Sequence, residues 1–372
     1  MKPLDGIKVL DFSTLLPGPL ATLILAEAGA EVIKIERPGR GDEMRNYVPK
    51  FGTDSINFAL LNRGKRSLAV DLKAEGAVAL LTPLLKETDV LVEQFRPGVL
   101  DRLGLGYAAV RAINPRIIYV SITGYGTSGP HAETAAHDLN FCAQTGMLSL
   151  AAGSDHAPVP PSALVGDIAG GTYPAIMNIL MALLQRERSG VGCQLEIAMA
   201  DNLFVLMYWG IGNGLVAGQW PRPGGDLVTG GSPRYNIYRT ADDRFIAAAP
   251  LEDQFWANFC DAINLDAVSR DDSVDPLRSI RKVAERIAST TGAEWERRFK
   301  GKDVCANLVV PLEQALHDPH FVERGLFDHR LSGGDTGITA LPVPVARQFR
   351  GEAQARGYPE LGEGNAEYLG NT

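Results

Sequence analysis

The sequence has few cysteines and none of the cysteine spacings that hold metals. Its four cysteines, Cys142, Cys193, Cys260 and Cys305, are far apart and form no CxxC pair. We therefore expect free thiols of a reducing compartment, with no disulfide framework and no metal site. The first strand–helix–strand pattern, at 7–36, lacks a GxGxxG motif, so it does not support dinucleotide binding.

Positive charge is in deficit, and long uninterrupted apolar runs are missing. The formal net charge of the 372 residues is -8, which argues against a general affinity for nucleic acid or anionic membranes. A polyanionic ligand must then meet a local basic patch. Gly, Asn or Gln interrupts the apolar runs before they reach membrane-spanning length, and the opening MKPLDGIKVLDF shows no signal-peptide pattern. We expect a cytoplasmic protein with no membrane partner.

The first part of the chain alternates between strand and helix patterns. Short apolar runs at 7–12, 31–36, 67–72, 90–95 and 117–122 predict buried strands, and helical patterns lie between them. Strands and helices that alternate at this spacing predict an α/β fold with a parallel, doubly wound sheet.

The later part of the chain predicts a second, smaller domain. Helical patterns at 137–151 and 168–186 precede a strand at 193–199 and an apolar helix at 200–216. Proline and glycine then mark 218–233 as a linker. We expect a large domain at 1–217, a small α+β domain at 234–325, and a segment 326–372 that returns to the large domain.

Two short motifs carry the candidate chemistry. His137 stands in AHDLNF at the head of a helical pattern, and Asp167 stands in GDIAGG before another. A base with an ordinary pKa near 6.5 and an acid near 3.9 are suited to moving a proton on and off carbon. Simpler interpretations stay open, because a histidine at a helix start is often a packing residue and an aspartate there is often an N-cap.

Many motifs in a consistent order resemble the family III CoA-transferases, and among them the alpha-methylacyl-CoA racemases. They are LDG at 4–6, VLD at 9–11, VIKIERP at 32–38, LNRGKRS at 61–67, FRPG at 95–98, RLG at 102–104, GYG at 124–126, DPHF at 318–321 and LGE at 361–363. The resemblance implies a large Rossmann-like domain built from both chain ends, an inserted small domain, and a homodimer of interlocked subunits.

The resemblance also implies two candidate reactions. In the racemases, residues matching His137 and Asp167 exchange a proton with the α-carbon of a 2-methylacyl-CoA, and a residue matching Glu252 assists the histidine. In the transferases, the residue matching Asp167 is instead a nucleophile that forms an acyl-enzyme anhydride. All three racemase residues are present, which favours the racemase over the transferase and over a non-enzymatic CoA-thioester binder.

The ligand contacts implied by the resemblance are those of an acyl-CoA, with no separate cofactor. Leu16, Arg37, Lys65, Arg96 and Arg102 are implied to line the CoA channel, with Phe141 beside the acyl end. The backbone N–H of Asp138 is the candidate donor to the thioester oxygen. The resemblance does not define the acyl pocket, because this chain departs from the family pattern at two positions. The racemases usually have Tyr where this chain has Phe141 and Gly where it has Ala136.

Overall fold

The computed structural model describes residues 2–153, 157–333 and 336–370. The strands are β1 Lys8–Asp11, β2 Glu31–Glu36, β3 Lys50–Phe51, β4 Asp54–Ser55, β5 Arg66–Ala69, β6 Val90–Glu93, β7 Ile118–Thr123, β8 Cys193–Ala198, β9 Asn236–Arg239, β10 Phe245–Ala248, β11 Ala306–Leu308, β12 Arg330–Gly333, β13 Thr336–Thr339 and β14 Ala355–Gly357.

The α-helices are α1 Pro17–Glu27, α2 Ile56–Asn62, α3 Ala77–Glu87, α4 Val99–Arg102, α5 Tyr107–Ile113, α6 Asp138–Gln144, α7 Tyr173–Ser189, α8 Tyr208–Ala217, α9 Asp253–Ala262, α10 Ala267–Arg270, α11 Pro276–Ile287, α12 Gly292–Phe299, α13 Leu312–Leu316, α14 Pro319–Glu323, α15 Arg347–Arg350 and α16 Asn365–Tyr368. Short 3₁₀ segments lie at Glu43–Asn46, Met147–Ser149 and Asp201–Met207, and a π-helical turn lies at Gly166–Thr172.

A six-stranded parallel sheet confirms the predicted α/β fold. Its order is β5-β2-β1-β6-β7-β8, and every neighbouring pair is parallel. Counted within the sheet, this is the 3-2-1-4-5-6 order of doubly wound nucleotide-binding folds. The central strand β1 is covered on both faces, since the consecutive residues Val9 and Leu10 are both fully buried.

The main core fills the space between the sheet and its helices. Leu10, Ile33 and Leu91 from neighbouring strands pack with Leu81 and Leu85 of α3. Each such side chain contributes about 1.5–3 kcal/mol when it is fully withdrawn from water. Helix α1 packs against the sheet and is buried along its whole length. It begins with a proline at its first position, where no backbone N–H is needed.

The chain divides into two compact units. The large unit comprises the chain up to Cys142, Ala163–Phe204 and the chain from Pro319, so it contains both chain ends; the small unit is Ala143–Ser162 with Val205–Asp318. The predicted bounds differ from these, because they assign 143–162 and 205–217 to the large domain and 319–325 to the small domain. Within the small unit, the carbonyl of Leu150 accepts a hydrogen bond from the Gly224 N–H, and the Leu150 side chain lies 3.8 Å from where a Cβ on Gly210 would stand.

The small unit has its own sheet and core. Strands β11, β10 and β9 form an antiparallel sheet in that order, and β9 and β10 form a hairpin. Helices α9, α11 and α12 supply Phe259, Val283 and Trp295 to a core shared with Ile246 of β10. These contacts give the unit a hydrophobic interior separate from that of the parallel sheet.

Two predicted helices are shorter than the sequence pattern suggested. The pattern at 137–151 gives α6, which ends at Gln144, because Gly146 adopts a positive φ of 86° before a 3₁₀ turn. The pattern at 200–216 divides into a 3₁₀ segment, Asp201–Met207, followed by α8. Apolar composition alone does not distinguish these tighter turns from an α-helix.

One helical segment has the length and composition of a membrane span. Gly166–Ser189 has a mean hydropathy of 1.3 in its most apolar window, of which 39% is buried inside the protein. The helix of this segment, α7, packs against α1, β7 and β8. A core helix meets the same criterion, so the segment is weak support for a membrane location.

Candidate active site

A cavity of about 400 Å³ lies in the large unit, where several strands of the parallel sheet end. Its wall includes residues that follow the carboxyl ends of β1, β6, β7 and β8, namely Leu15, Pro17, Gln94, Phe95, Arg96, Pro97, Gly124, Tyr125 and Met199. His137, Phe141 and Asp167 complete the wall. Sheets of this type bind their ligands at this edge. The structure therefore brings the two candidate acid/base residues to one cavity.

Asp167 lies in the π-helical turn Gly166–Thr172 rather than at the N-cap of a helix. The N-cap position belongs to Val165, so the N-cap interpretation of Asp167 is wrong. The glycines of GDIAGG make the turn possible, because a Cβ on Gly170 would stand 2.4 Å from the Met199 carbonyl oxygen. Single π-turns occur often at functional sites.

Asp138 fixes the position of Asp167. The Asp167 N–H donates to Oδ1 of Asp138 at 2.9 Å, and Asp138 is buried. Gly166 lies against the same carboxylate, since a Cβ there would be 3.1 Å from Oδ1. This contact joins the start of α6 to the π-helical turn, and it places a second carboxylate close to the first.

The pKa of Asp167 is raised from its ordinary 3.8 to about 6. Burial is the largest cause, and the negative charge of Asp138 adds to it, whereas His137 acts in the opposite direction. A carboxyl group that titrates near 6 can hold a proton or release it close to neutral pH, which is a requirement for a general acid and base.

His137 precedes α6 and is exposed. Its N–H donates to Oδ1 of Asn140 at 3.0 Å, and its carbonyl accepts from the Asn140 N–H at 2.8 Å. The Asn140 side chain thus reaches back to the residue before the helix, as the third residue of a capping box does. These backbone contacts fix the start of the helix, and His137 belongs to the cavity wall.

An aromatic pair forms one side of the cavity. The rings of Tyr125 and Phe141 meet edge to face, with centroids 5.3 Å apart. Gly124 permits this contact, because a Cβ there would be 2.8 Å from the Phe141 ring. Burial raises the pKa of Tyr125. The sequence motif GYG contained Tyr125, but nothing in the motif singled out its ring as part of the site.

Leu15 is a second wall residue that sequence reasoning missed. Its φ is +62°, a left-handed conformation that is uncommon for residues other than glycine. Its N–H donates to the carboxylate of buried Asp42 at 3.2 Å, and Asp42 pairs with Lys34 at 3.0 Å. A buried ion pair therefore holds this loop in place. The predicted residue Leu16 follows it, is half-buried, and packs against a core cluster that includes Leu20.

A second cavity of about 320 Å³ adjoins the first, and Phe95 lies in the walls of both. Arg37 and Lys73 line the second cavity together with apolar residues such as Ile35. Arg37 is exposed, as is Arg96 of the first cavity. Arg102 is also exposed, and its guanidinium lies 3.3 Å from where a Cβ on Gly98 would stand.

Lys65 does not line either cavity, and the prediction that it does is wrong for this structure. Its side chain is fully buried. Its Nζ contacts Asp11 at 3.1 Å and donates to Thr22, Asn62 and the Pro19 carbonyl at 2.7–2.9 Å. Burial lowers the pKa of Lys65 to about 8, although the negative charge of Asp11 acts to raise it. With every ammonium hydrogen engaged, Lys65 supports the fold instead.

Asp11 is the partner that makes burial of Lys65 possible. Burial by itself would raise its pKa, but Lys65 and Lys34, with hydrogen bonds from Ser13 and Thr22, bring it down to about 2. Both members of the Asp11–Lys65 pair are therefore charged at neutral pH. The Lys34 ammonium also donates to the Ser13 carbonyl at 2.6 Å, which connects this network to the loop before Leu15.

Glu252 belongs to the small unit. It occupies the N-cap position of α9 with an extended backbone, and its side chain does not cap the helix. The residue is exposed, and among the described residues its carboxylate has no hydrogen bond or ion pair. Its predicted partner His137 belongs to the large unit.

Within residues 2–153, 157–333 and 336–370, no group of three His, Cys, Asp or Glu side chains has an arrangement that could hold a metal ion.

The chain is similar over its whole length to proteins of two activities. It is 34% identical over 370 residues to the alpha-methylacyl-CoA racemase of Mus musculus, which covers 98% of this chain and 92% of that protein. It is also 34% identical over 373 residues to the acetyl-CoA:oxalate CoA-transferase of Acetobacter aceti, covering 98% and 94%. Sequence identity therefore does not distinguish the two reactions.

A solved structure has the same fold. The Rv3272 protein of Mycobacterium tuberculosis superimposes with a TM-score of 0.84 at 30% identity, covering 99% of each chain. The sequence matches CoA-transferase family III over residues 4–365. The protein is an enzyme of CoA-transferase family III, the superfamily that contains both CoA-transferases and acyl-CoA racemases.

Proposed function

We propose that the enzyme is a cofactor-independent racemase of 2-methylacyl-CoA thioesters. The observation that carries the proposal is that His137 and Asp167 line one cavity and that Asp167 titrates near 6. Inversion at carbon needs two groups that can each donate and accept a proton near neutral pH. A carboxyl group with its ordinary pKa is almost never protonated there, whereas Asp167 is protonated in a useful fraction of molecules.

The proton moves in two steps. His137 removes the α-proton from one enantiomer, and the electron pair of the broken C–H bond moves onto the thioester oxygen to give an enolate. Asp167 then delivers a proton to the opposite face of the same carbon, and the carbonyl re-forms. The roles reverse for the other enantiomer. Glu252 has the assisting role that the resemblance implies, in which a carboxylate fixes the tautomer and orientation of the catalytic histidine.

The enolate oxygen needs a hydrogen-bond donor because the α-proton of a thioester is far less acidic than either catalytic group. Asp138 is the first residue of α6, so its N–H is one of those that a helix leaves without an intrahelical partner. We assign the thioester oxygen to this N–H. The Asp138 carboxylate has a different role, because it accepts the hydrogen bond from the Asp167 N–H and so fixes the position of Asp167.

The CoA portion occupies the adjoining cavity in this proposal. Its phosphates require positive charge on a protein whose net charge is -8. Arg37 and Lys73 at the second cavity and Arg96 at the first supply that charge, and apolar residues such as Ile35 are suited to the adenine ring. Arg102 and Leu16 stay candidate CoA contacts, and Phe141 with Tyr125 borders the acyl group.

The alternative is a CoA-transferase in which the Asp167 carboxylate attacks the thioester carbonyl. The C–S bond breaks, CoA leaves as the thiolate, and an acyl anhydride forms on Asp167. The transferase relative at 34% identity supports this alternative. The raised pKa speaks for the racemase, because protonation of Asp167 serves proton transfer and removes the nucleophile.

One incubation separates the two reactions. A single enantiomer of a 2-methylacyl-CoA is kept with the enzyme in deuterated water, together with a free carboxylic acid. Deuterium at C2 with loss of optical purity supports the racemase. Transfer of CoA to the added acid, with an acyl group trapped on Asp167 by hydroxylamine, establishes the transferase instead. If neither product forms, the 2-methylacyl-CoA racemase proposal is wrong.

His137→Ala sharpens this assignment. We expect racemisation to fall by about 100-fold or more, the range typical of a general base, with little change in thermal stability because the side chain is exposed. A transferase that works through Asp167 would keep most of its activity in the same variant, and that result would contradict the racemase proposal.

We further propose that two copies of the chain form the functional unit, as the resemblance implied. Met177, Met181 and Leu184 leave 55–65% of their surface exposed on α7, which is an apolar surface of the kind that subunit interfaces cover. Sedimentation of the purified protein as a monomer would contradict this. Cytoplasmic location, independence of cofactors, and the lack of nucleic-acid and membrane partners stay predictions.

A further inference from the structure

Arg234 of the small unit forms hydrogen bonds with the residues on both sides of Glu252. Its Nη1 donates to the Leu251 carbonyl at 3.1 Å and to the carboxylate of Asp253 at 2.6 Å. These are the residues immediately before and after Glu252. One guanidinium group therefore fixes the backbone that carries the candidate carboxylate, and it leaves that carboxylate unpaired among the described residues.

Arg234 is itself held rigidly. Its Nε and Nη2 donate to the two carboxylate oxygens of Asp272 at 2.8 and 2.9 Å, a two-point contact. The guanidinium carbon also lies 5.5 Å from the ring centroid of Trp256, a buried residue of α9. The chain before Arg234 is anchored too, since the buried Tyr238 hydroxyl donates to the Pro233 carbonyl at 2.9 Å.

The start of α9 needs this support. Ser, Thr, Asp and Asn are the side chains that usually stabilise an N-cap position, and losing such a cap costs about 0.5–2 kcal/mol. Here the N-cap residue is Glu252, and its side chain forms no cap hydrogen bond. The Arg234 contacts to Leu251 and Asp253 supply the missing restraint from outside the helix.

We propose that Arg234 is a positioning residue for Glu252, holding the loop so that the carboxylate keeps one orientation. The inference rests on the role given to Glu252 in the proposed function. Lysine can replace Arg234 only in part, because a single ammonium lacks the planar fork that engages Asp272 and the loop at the same time.

A double-mutant cycle in the full-length enzyme tests this, with deuterium exchange at C2 of a 2-methylacyl-CoA as the assay. We expect Arg234→Met to lower kcat about 10- to 100-fold, the cost of a displaced catalytic group, and to leave KM unchanged. Arg234→Lys should fall between Arg234→Met and wild type. In a Glu252→Gln background, Arg234→Met should add almost nothing, because both changes remove the same contribution.

Arg270→Met is the matched control. Arg270 lies in the same unit and makes contacts of the same kind, to Asp261 at 2.5 Å and to the Leu265 carbonyl at 2.9 Å, but none of them flanks Glu252. We expect its kcat to equal that of wild type. Equal losses in Arg270→Met and Arg234→Met, or additive losses with Glu252→Gln, would show a merely structural role and overturn the proposal.

Amide hydrogen exchange separates failure of this proposal from failure of the proposed function. Exchange across residues 249–256 should be faster in Arg234→Met than in wild type or Arg270→Met, whatever reaction the enzyme catalyses. Unchanged exchange in that segment overturns the positioning role. Faster exchange in an enzyme that shows no deuteration at C2 would refute the racemase and leave the restraint by Arg234 standing.

Discussion

Replacing Asp167 by asparagine should stabilise the protein at neutral pH. Asparagine has nearly the shape of a protonated aspartate and carries no charge, so it avoids burying a carboxylate beside Asp138. The pKa of Asp167 is about 6 in the folded protein against an ordinary 3.8. At about 1.4 kcal/mol per pKa unit, ionised Asp167 costs the folded state up to about 3 kcal/mol. Because the residue keeps some contact with solvent, we expect about 1–3 kcal/mol.

The pH dependence gives the sign of the effect. Between about pH 4 and 6 the folded protein holds a proton on Asp167 that the unfolded chain has released, so stability falls as pH rises through this window. Above pH 6 the full cost is present in wild type and absent in Asp167→Asn. Below pH 4 both states are protonated, and the two proteins should be equally stable.

Urea unfolding measures this directly. The urea midpoints of wild type and Asp167→Asn are compared at pH 4 and at pH 7.5. The unfolding free energy of the two proteins must depend on urea concentration with the same slope, so that a difference in midpoint reports a difference in stability. The difference between the two midpoints should increase as pH rises. An asparagine variant that is less stable than wild type at pH 7.5, or a gap that does not change with pH, would refute the argument that burial and Asp138 raise the pKa of Asp167.

Two further predictions follow from the neighbours of the site. Asp138→Asn keeps an oxygen that can accept the Asp167 N–H but removes a negative charge, so the pKa of Asp167 should fall. For the enantiomer whose α-proton Asp167 removes, the acid limb of the kcat/KM profile should then move to lower pH; an unmoved limb would contradict this. Lys65→Met should destabilise the protein by about 3–5 kcal/mol in urea unfolding, because it leaves the buried Asp11 carboxylate without its partner. Adding Asp11→Asn should recover part of that loss of stability. If the double variant were as unstable as Lys65→Met alone, the unpaired Asp11 carboxylate would not be the cause of the loss.

The sequence predicted the parallel sheet well because its strands are short apolar runs that need both faces covered. It also predicted that His137, Asp167, Phe141 and Arg96 belong to one site, and all four lie in the wall of one cavity. The lengths of helices were harder to predict. Gly146 ends α6 because its backbone has a positive φ, and amino-acid composition does not show which glycine adopts that conformation.

The remaining errors concern residues whose role depends on distant partners. Lys65 stands in a polar motif, so its complete burial could not be foreseen before Asp11, Thr22 and Asn62 came together around it. The left-handed backbone of Leu15 likewise depends on Asp42, which is 27 residues away in the chain. The contact between the Asp138 carboxylate and the Asp167 N–H joins two turns that the sequence treats as separate motifs.

The most direct test of the central claim uses enantiomers labelled with deuterium at C2 and the variants His137→Ala and Asp167→Asn in ordinary water. If the two residues serve opposite faces of one carbon, each variant should wash the label out of a different enantiomer and leave its configuration unchanged. Loss of label from the same enantiomer in both variants, or from both enantiomers in either one, would contradict the two-sided proton exchange proposed for this cavity.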